Sequence, residues 1–320
     1  MRTRAVVAFL SFLGVGTCAA IVAQSDRAMA SSSVSIASGW NATRTTIPVT
    51  VNGRRVSCVL DTGTSAMIVS PWLAQAANLT SKTGTFELAP DGRTYVDRQT
   101  EIPRFDVAGY TLHDLPALIS QNVSDVNALC GYDFFAHFPT LIDRRHQQVT
   151  LFPPASRLAR MRCTPVDLAP RVPLATVEIN DTWVRQIVLD SGMAGGGALW
   201  DGVRSELRQP LVADAGYETM PTAIRQGFSC GAVASVRYAA GSATSAMPLC
   251  TEAQRPDGYN GIIETNLSTV GAMAVDYPHR RICFDVADAA QPVSPSRTEP
   301  MTAGGEAWAR FNSMRPPKTR

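Results

Sequence analysis

Short apolar runs, each closed by a turn signal, recur along this chain at intervals of roughly ten residues, the spacing expected of stacked short strands. Cys58-Val59-Leu60 and Ala66 to Ser70 read as strands, and Pro71 to Leu79 as a short helix opened by its proline. Thr85 to Thr100 carries Pro90-Asp91-Gly92 at its middle, the signature of a hairpin turn between two strand-like arms. Phe105 to Gly109, Leu115 to Leu118, Ala128 to Phe135, Leu141 to Asp143 and Val149 to Phe152 continue the series. Few stretches hold a helical period for long, so the pattern predicts an all-β protein, mostly strands with short helices.

The series is then written a second time. Gly109 and Pro116 have counterparts at Gly241 and Pro248 (241 − 109 = 132), and Asp143, His146 and Val149 at Asp276, His279 and Ile282 (276 − 143 = 133). Ile187-Val188-Leu189-Asp190-Ser191-Gly192 repeats the shape of Val59-Leu60-Asp61-Thr62-Gly63. Landmarks in one order at a nearly constant offset imply an internal duplication into two lobes of about 110 residues each, an ordinary domain size. The division reads as 1–30 signal peptide, 31–44 polar leader, 45–154 first lobe, 155–171 interlobe connection, 172–286 second lobe and 287–320 flexible tail, the last rich in Pro, Ser, Gly and Ala.

Composition adds little beyond a globular chain: 320 residues, 45% hydrophobic and 18% charged. A net charge of +2 without a long basic run gives no electrostatic case for nucleic acid, and the pairs Arg54-Arg55, Arg144-Arg145 and Arg280-Arg281 read as solvated turns. Arg2 and Arg4 precede an uncharged stretch from Ala5 to Gln24, and Ala28-Met29-Ala30 supplies a small-x-small cleavage site. An exported protein, periplasmic or secreted, is the leading reading. The same stretch is long enough for an uncleaved membrane anchor, and Val15-Gly16-Thr17-Cys18 is an imperfect lipoprotein-type site. Cleavage would remove Cys18 and leave Cys58, Cys130, Cys163, Cys230, Cys250 and Cys283. Their pairing stays open: Cys58 and Cys130 sit in strongly apolar segments and read as buried thiols, while Cys230 with Cys250 is the favoured bridge. The spacing offers no zinc site.

The chemistry is concentrated in the two Asp-(Thr/Ser)-Gly turns. A buried apolar strand delivers Asp61 to one and Asp190 to the other. If the two turns meet, two carboxylates share a site, cannot both ionise comfortably, and together hold one proton, offering an acid and a base at once.

On these residues, with Leu129-Cys130-Gly131 as a later apolar-apolar-Gly segment, the chain resembles the retropepsin-like and pepsin-like aspartic proteases over nearly everything from Ile47 to Asp285. The resemblance implies two retropepsin-like lobes related by a pseudo-twofold axis. It implies an aspartic endopeptidase in which Asp61 and Asp190 activate a water without a covalent intermediate, a peptide or protein substrate, no metal or organic cofactor, and a monomer. Thr62 and Ser191 would brace the turns, with Thr64 beside them, and Gly63 and Gly192 would keep side chains off the carboxylates. The hairpin at Asp91-Gly92 would be a flap, with Tyr95 as a substrate contact. The second half departs twice, with Met193 after Ser191-Gly192 and Glu264 where the first half has Gly131. It also lacks a clear flap signal between Arg208 and Gly227, so one flap is expected.

Two other readings compete. A catalytically inactive peptide-binding module would keep the fold and lose the chemistry, with Met193 and Glu264 as its motive. Gly227-Phe228-Ser229-Cys230-Gly231 fits a serine-hydrolase motif with His279 downstream, but that motif needs a buried strand before it and a helix after it. The segment Thr222 to Gln226 is a poor buried strand, and Val233 to Tyr238 reads as another strand.

Overall fold

A computed structural model of the chain describes residues 33–41, 44–82, 84–88, 94–123, 126–169, 171–193, 196–209, 212–213, 228–240, 244–252, 259–265 and 271–285. It is mostly β, with a few short helices, as the alternation predicts. The signal-peptide and tail segments lie outside the described residues, as do Asp91, Gly92 and most of the stretch between Arg208 and Gly227. Among the described residues no helix is long and apolar enough to cross a membrane.

Three sheets organise the described residues. The first has eight strands. Following Gly39–Asn41, it runs Arg44–Val51, Arg54–Leu60, Ala128–Cys130, Met67–Val69, Tyr110–Ile119, Thr94–Val107 and Gly84–Leu88. The second has seven: Leu174–Ile179, Thr182–Asp190, Gly261–Glu264, Gly197–Trp200, Thr244–Glu252, Phe228–Arg237 and Val212–Ala213. Strand for strand, the second repeats the order that the first follows from Arg44–Val51 onward. Both also close back on themselves, through Arg44–Val51 with Thr94–Val107 and Leu174–Ile179 with Phe228–Arg237.

Local chemistry accounts for the opening hairpins. Asn52 (φ 43°) and Gly53 (φ 83°) form a two-residue turn of the kind that matches strand twist, and Asn180 (φ 46°) with Asp181 (φ 58°) does the same in the second sheet. The helix Pro71–Ala76 starts where its proline predicts: Ser70 caps it by accepting the Leu73 N–H at 3.2 Å. The apolar run from Ala128 divides at Gly131 into the strand Ala128–Cys130 and the helix Tyr132–His137. Glu87 and Tyr95 face each other across the predicted hairpin, whose arms are Gly84–Leu88 and the start of Thr94–Val107.

A six-stranded antiparallel sheet joins strands from both halves, in the order Val34–Ala37, Gln148–Leu151, Thr140–Asp143, Ala272–Asp276, Arg281–Asp285 and Met161–Pro165. At its centre Thr140 pairs with Val275, Leu141 with Ala274 and Ile142 with Met273. Stretches read as leader and connection therefore supply strands at its two edges. One large apolar cluster continues through both halves, including Leu60, Phe134, Leu189, Ile263 and Phe284.

The cysteines correct the sequence reading. Cys58 and Cys130 are bonded to each other, as are Cys163 and Cys283. The parallel pairing of Arg54–Leu60 with Ala128–Cys130 brings the first pair together, and Cys163 lies directly opposite Cys283 in the six-stranded sheet. Cys230 and Cys250 lie on adjacent strands, with side chains outside the described residues.

Candidate active site

Asp61 follows the buried end of its strand and Asp190 is the last residue of its own, and both strands are held there by a short parallel partner. Cys58 to Leu60 pair with Ala128 to Cys130, and Ile187 to Asp190 with Gly261 to Glu264. The Asp61 N–H donates to the Cys130 carbonyl at 3.1 Å, and the Asp190 carbonyl accepts the Thr265 N–H at 2.8 Å. Neither aspartate is free to drift along its strand.

The turns that follow are locked to each other. Thr62 Oγ1 donates to the Leu189 carbonyl at 2.7 Å, and Ser191 Oγ donates to the Leu60 carbonyl at 2.8 Å. In return the Thr62 N–H donates to Ser191 Oγ at 3.0 Å and the Ser191 N–H to Thr62 Oγ1 at 2.9 Å. Both hydroxyl residues are fully buried, so water offers these groups no alternative partner.

This lock sets the two carboxyl groups side by side, in hydrogen-bond contact. It also explains the glycines. A Cβ on Gly63 would stand 2.5 Å from the Asp190 carboxyl carbon, and one on Gly192 would stand 2.2 Å from that of Asp61. Each glycine makes room for the carboxylate of the opposite turn, a close approach that no other residue permits.

The two acids are not equivalent. Burial raises the Asp61 pKa, while the Thr64 hydroxyl, Asp190, the Gly63 N–H and Arg44 pull it down. Burial raises Asp190 well above the usual carboxylate range, and the neighbouring Asp61 charge raises it further. The N–H groups of Gly192 (2.7 Å) and Met193 (3.0 Å) donate to Asp190 Oδ1 and only partly offset this. Both carboxyl groups are thus held above the usual range, Asp190 the more so, as expected for like charges that share one site and titrate as a pair. The arrangement provides a base and an acid within one hydrogen bond of each other.

Of the remaining predicted residues, Thr64 stands at Asp61, and its carbonyl accepts the Tyr132 N–H at 3.0 Å. Tyr95 takes a strand position, its side chain outside the described residues. Ser229 lies inside the strand Phe228–Arg237, which is not the strand-to-helix turn a serine nucleophile requires. His146 and His279 bind Asp143 and Asp276 at 2.9 and 2.7 Å in equivalent exposed turns. Among the described residues no cluster of His, Cys, Asp and Glu has the makings of a metal site.

Two residues escaped the sequence reading. Tyr277 is buried against Tyr132 and Phe135, with ring centroids 5.7 and 5.5 Å away. Its phenol is pushed well above the usual range by burial and by the charges of Asp61 and Asp190. Arg44 adds a positive charge felt at Asp61. Nothing in the local sequence marks either; the only trace is that Tyr277 follows Asp276 as Arg144 follows Asp143.

Comparison with known proteins adds a family. Residues 47–137 match the model described as gag-polyprotein putative aspartyl protease, a span that contains Asp61-Thr62-Gly63 and Gly131 and ends before Asp190. No curated protein matches the chain. Segment 47–137, carried on a mostly-β architecture, is therefore similar to the retropepsin-like aspartyl proteases.

Proposed function

We propose that the protein is an aspartic endopeptidase, with Asp61 and Asp190 as its catalytic pair in a single-chain pseudo-dimer of two lobes. The observation that carries this reading is the reciprocal lock of Thr62 and Ser191, which holds both carboxyl groups in contact while each opposing glycine clears space for them. Matching strand orders, and a central register that is unchanged when residues 140–142 exchange roles with 273–275, support the two-lobe relation. The family match supports peptide hydrolysis as the class of reaction.

In this mechanism ionised Asp61 accepts a proton from a water as its oxygen attacks the scissile carbonyl carbon. Protonated Asp190 hydrogen-bonds and then protonates the carbonyl oxygen. The result is a neutral tetrahedral diol with no bond to the enzyme. Asp61 then gives its proton to the amide nitrogen while a diol hydroxyl gives one to Asp190, the C–N bond breaks to release acid and amine, and the pair again holds one proton. Hydrogen bonds from Gly192 and Met193 steady Asp190 through both steps. An extended peptide pairing along the hairpin of Gly84–Leu88 and Thr94–Val107 presents the bond in strand geometry, with Asp91, Gly92 and Tyr95 as the proposed flap.

We further propose an exported monomer, released by cleavage near Ala30. Two disulfides, Cys58–Cys130 in the core and Cys163–Cys283 with Cys163 at the surface, support an oxidising compartment. The test is cleavage of a mixed peptide library by wild type, Asp61→Asn and Asp190→Asn, with a statine-type transition-state mimic and a serine-directed fluorophosphonate as inhibitors. Cleavage lost in both variants and blocked only by the mimic supports the pair. Unchanged cleavage in either variant, or fluorophosphonate sensitivity, removes it.

A further inference from the structure

The two halves differ most where the segment behind each catalytic aspartate passes under its turn. In the first half this position is Gly131, and no side chain fits: a Cβ there would lie 2.1 Å from the Ala66 carbonyl oxygen and 2.6 Å from that of Thr64. The register places Glu264 at the same point of the second half, one residue beyond Ile263 as Gly131 is one beyond Cys130. Glu264 is nonetheless accommodated, at 3% exposure.

The chain makes room for it by a longer detour. From Gly63 to the strand start at Met67 is four steps, and from Gly192 to Gly197 is five (67 − 63; 197 − 192). Glu264 then grips the far end of that detour with backbone and side chain together. Its N–H donates to the Gly196 carbonyl at 2.8 Å, and its Oε2 accepts the Gly196 N–H at 2.8 Å. Its own carbonyl accepts the Tyr238 hydroxyl at 2.6 Å, and Tyr238 is buried and stacked on Phe284 at 4.7 Å.

A matching change has occurred across the molecule. Tyr277 packs against Tyr132 and Phe135, in the helix that follows Gly131. The residue at its position in the first half is Arg144 (277 − 144 = 133), and the field of Glu264 partly offsets the lowering that burial imposes on this guanidinium. By position, Gly131 and Tyr277 thus correspond to Glu264 and Arg144. A buried carboxylate without a compensating cation would be strongly unfavourable, which is the physical reason for the two changes to occur together.

We propose that Glu264 is a positioning residue for Asp190: through its paired hydrogen bonds to Gly196 it fixes the far end of the loop whose near end supplies the Gly192 and Met193 N–H donors. This rests on the reading of Asp190 as half of a catalytic pair. A loop held only at its Asp190 end would let those donors swing, and misplacement by about 1 Å costs rates on the order of a hundredfold.

The test compares Glu264→Ala, Glu264→Gln and the double variant Glu264→Gln/Arg144→Met in the full chain. Peptide cleavage, urea unfolding and hydrogen exchange of the 190–200 segment are measured on each. Glu264→Ala is expected to lower kcat about 10- to 100-fold with KM changed less than about threefold, because Glu264 does not face substrate, and to deprotect the Gly196 amide. Glu264→Gln keeps an acceptor for that amide and recovers at least about a third of wild-type kcat, although it loses stability by removing the charge that favours the buried Arg144 guanidinium; the double variant restores the stability. Wild-type kcat in Glu264→Ala, or a Gln variant as slow as the Ala variant at equal exchange protection, overturns the positioning role. Exchange is read without substrate, so the two levels separate. Deprotection of Gly196 in an Ala variant of a protein that cleaves nothing upholds the clamp and removes the peptidase reading. Unchanged protection removes the clamp whatever the protein cleaves.

Discussion

Replacing Thr62 by valine keeps the shape of the side chain and removes only its hydroxyl, so the cost measures the lock and not a cavity. That hydroxyl donates to the Leu189 carbonyl and accepts the Ser191 N–H. Both groups belong to a fully sequestered turn, and Thr62 and Ser191 are each 0% exposed. Leaving two buried backbone groups unpaired costs about 1–3 kcal/mol each, or roughly 2–6 kcal/mol with a central value near 3. For a chain of this size, with a urea slope near 3 kcal/mol/M, the midpoint falls by about 1 M. Ser191→Ala removes the mirror pair of bonds, to Leu60 and from Thr62, and is expected to cost the same within about 1 kcal/mol. The double variant falls short of the sum by about 1 kcal/mol, because the turns separate after the first loss. Thr62→Ser keeps both bonds and loses only a buried methyl, about 1 kcal/mol. Equilibrium urea unfolding followed by fluorescence reads all four. A valine variant destabilised by less than about 1 kcal/mol, or a serine variant as weak as valine, would refute the view that these hydrogen bonds join the two turns.

Further tests probe the same site and its supports. Gly63→Ala or Gly192→Ala drives a methyl into the opposite carboxylate and is expected to reduce cleavage at least about a hundredfold; activity within tenfold of wild type would show that the carboxylates stand further apart. Asp190 has a raised pKa when folded, so its contribution to stability is fully present below the unfolded value and lost as pH rises through the folded value. Asp190→Asn should therefore gain stability relative to wild type as pH rises toward neutrality and lose the advantage at low pH; thermal melts at several pH values showing a pH-independent difference would contradict the assignment of the proton. Opening the Cys58–Cys130 bridge, which spans 72 residues, by Cys58→Ser/Cys130→Ser should cost about 4 kcal/mol from loop entropy, read as a lower urea midpoint; an unchanged midpoint would remove that bond.

The sequence by itself determined the β class, the two Asp-(Thr/Ser)-Gly turns and the hairpin ahead of the first sheet's outer edge. These follow from local rules: alternation of period two, the left-handed tolerance of Asn and Gly in Asn52-Gly53, and proline at the start of Pro71–Ala76. The repeat also suggested which residues correspond. Tertiary structure decided what no local pattern encodes. Cys58 meets Cys130 because two strands 72 residues apart pair in parallel, and an apolar setting hides a bonded cysteine as readily as a free one. Glu264 reads as an intrusion behind Asp190 in the sequence, yet the fold gives it the Gly196 backbone to hold and the Tyr238 hydroxyl to accept. Asp61 and Asp190 carry the same motif and differ in proton affinity because burial, Arg44, Thr64 and the Gly192 and Met193 N–H groups surround them unequally. Local sequence specifies which residue occupies each turn; the long-range packing of two unequal halves sets the field in which it ionises.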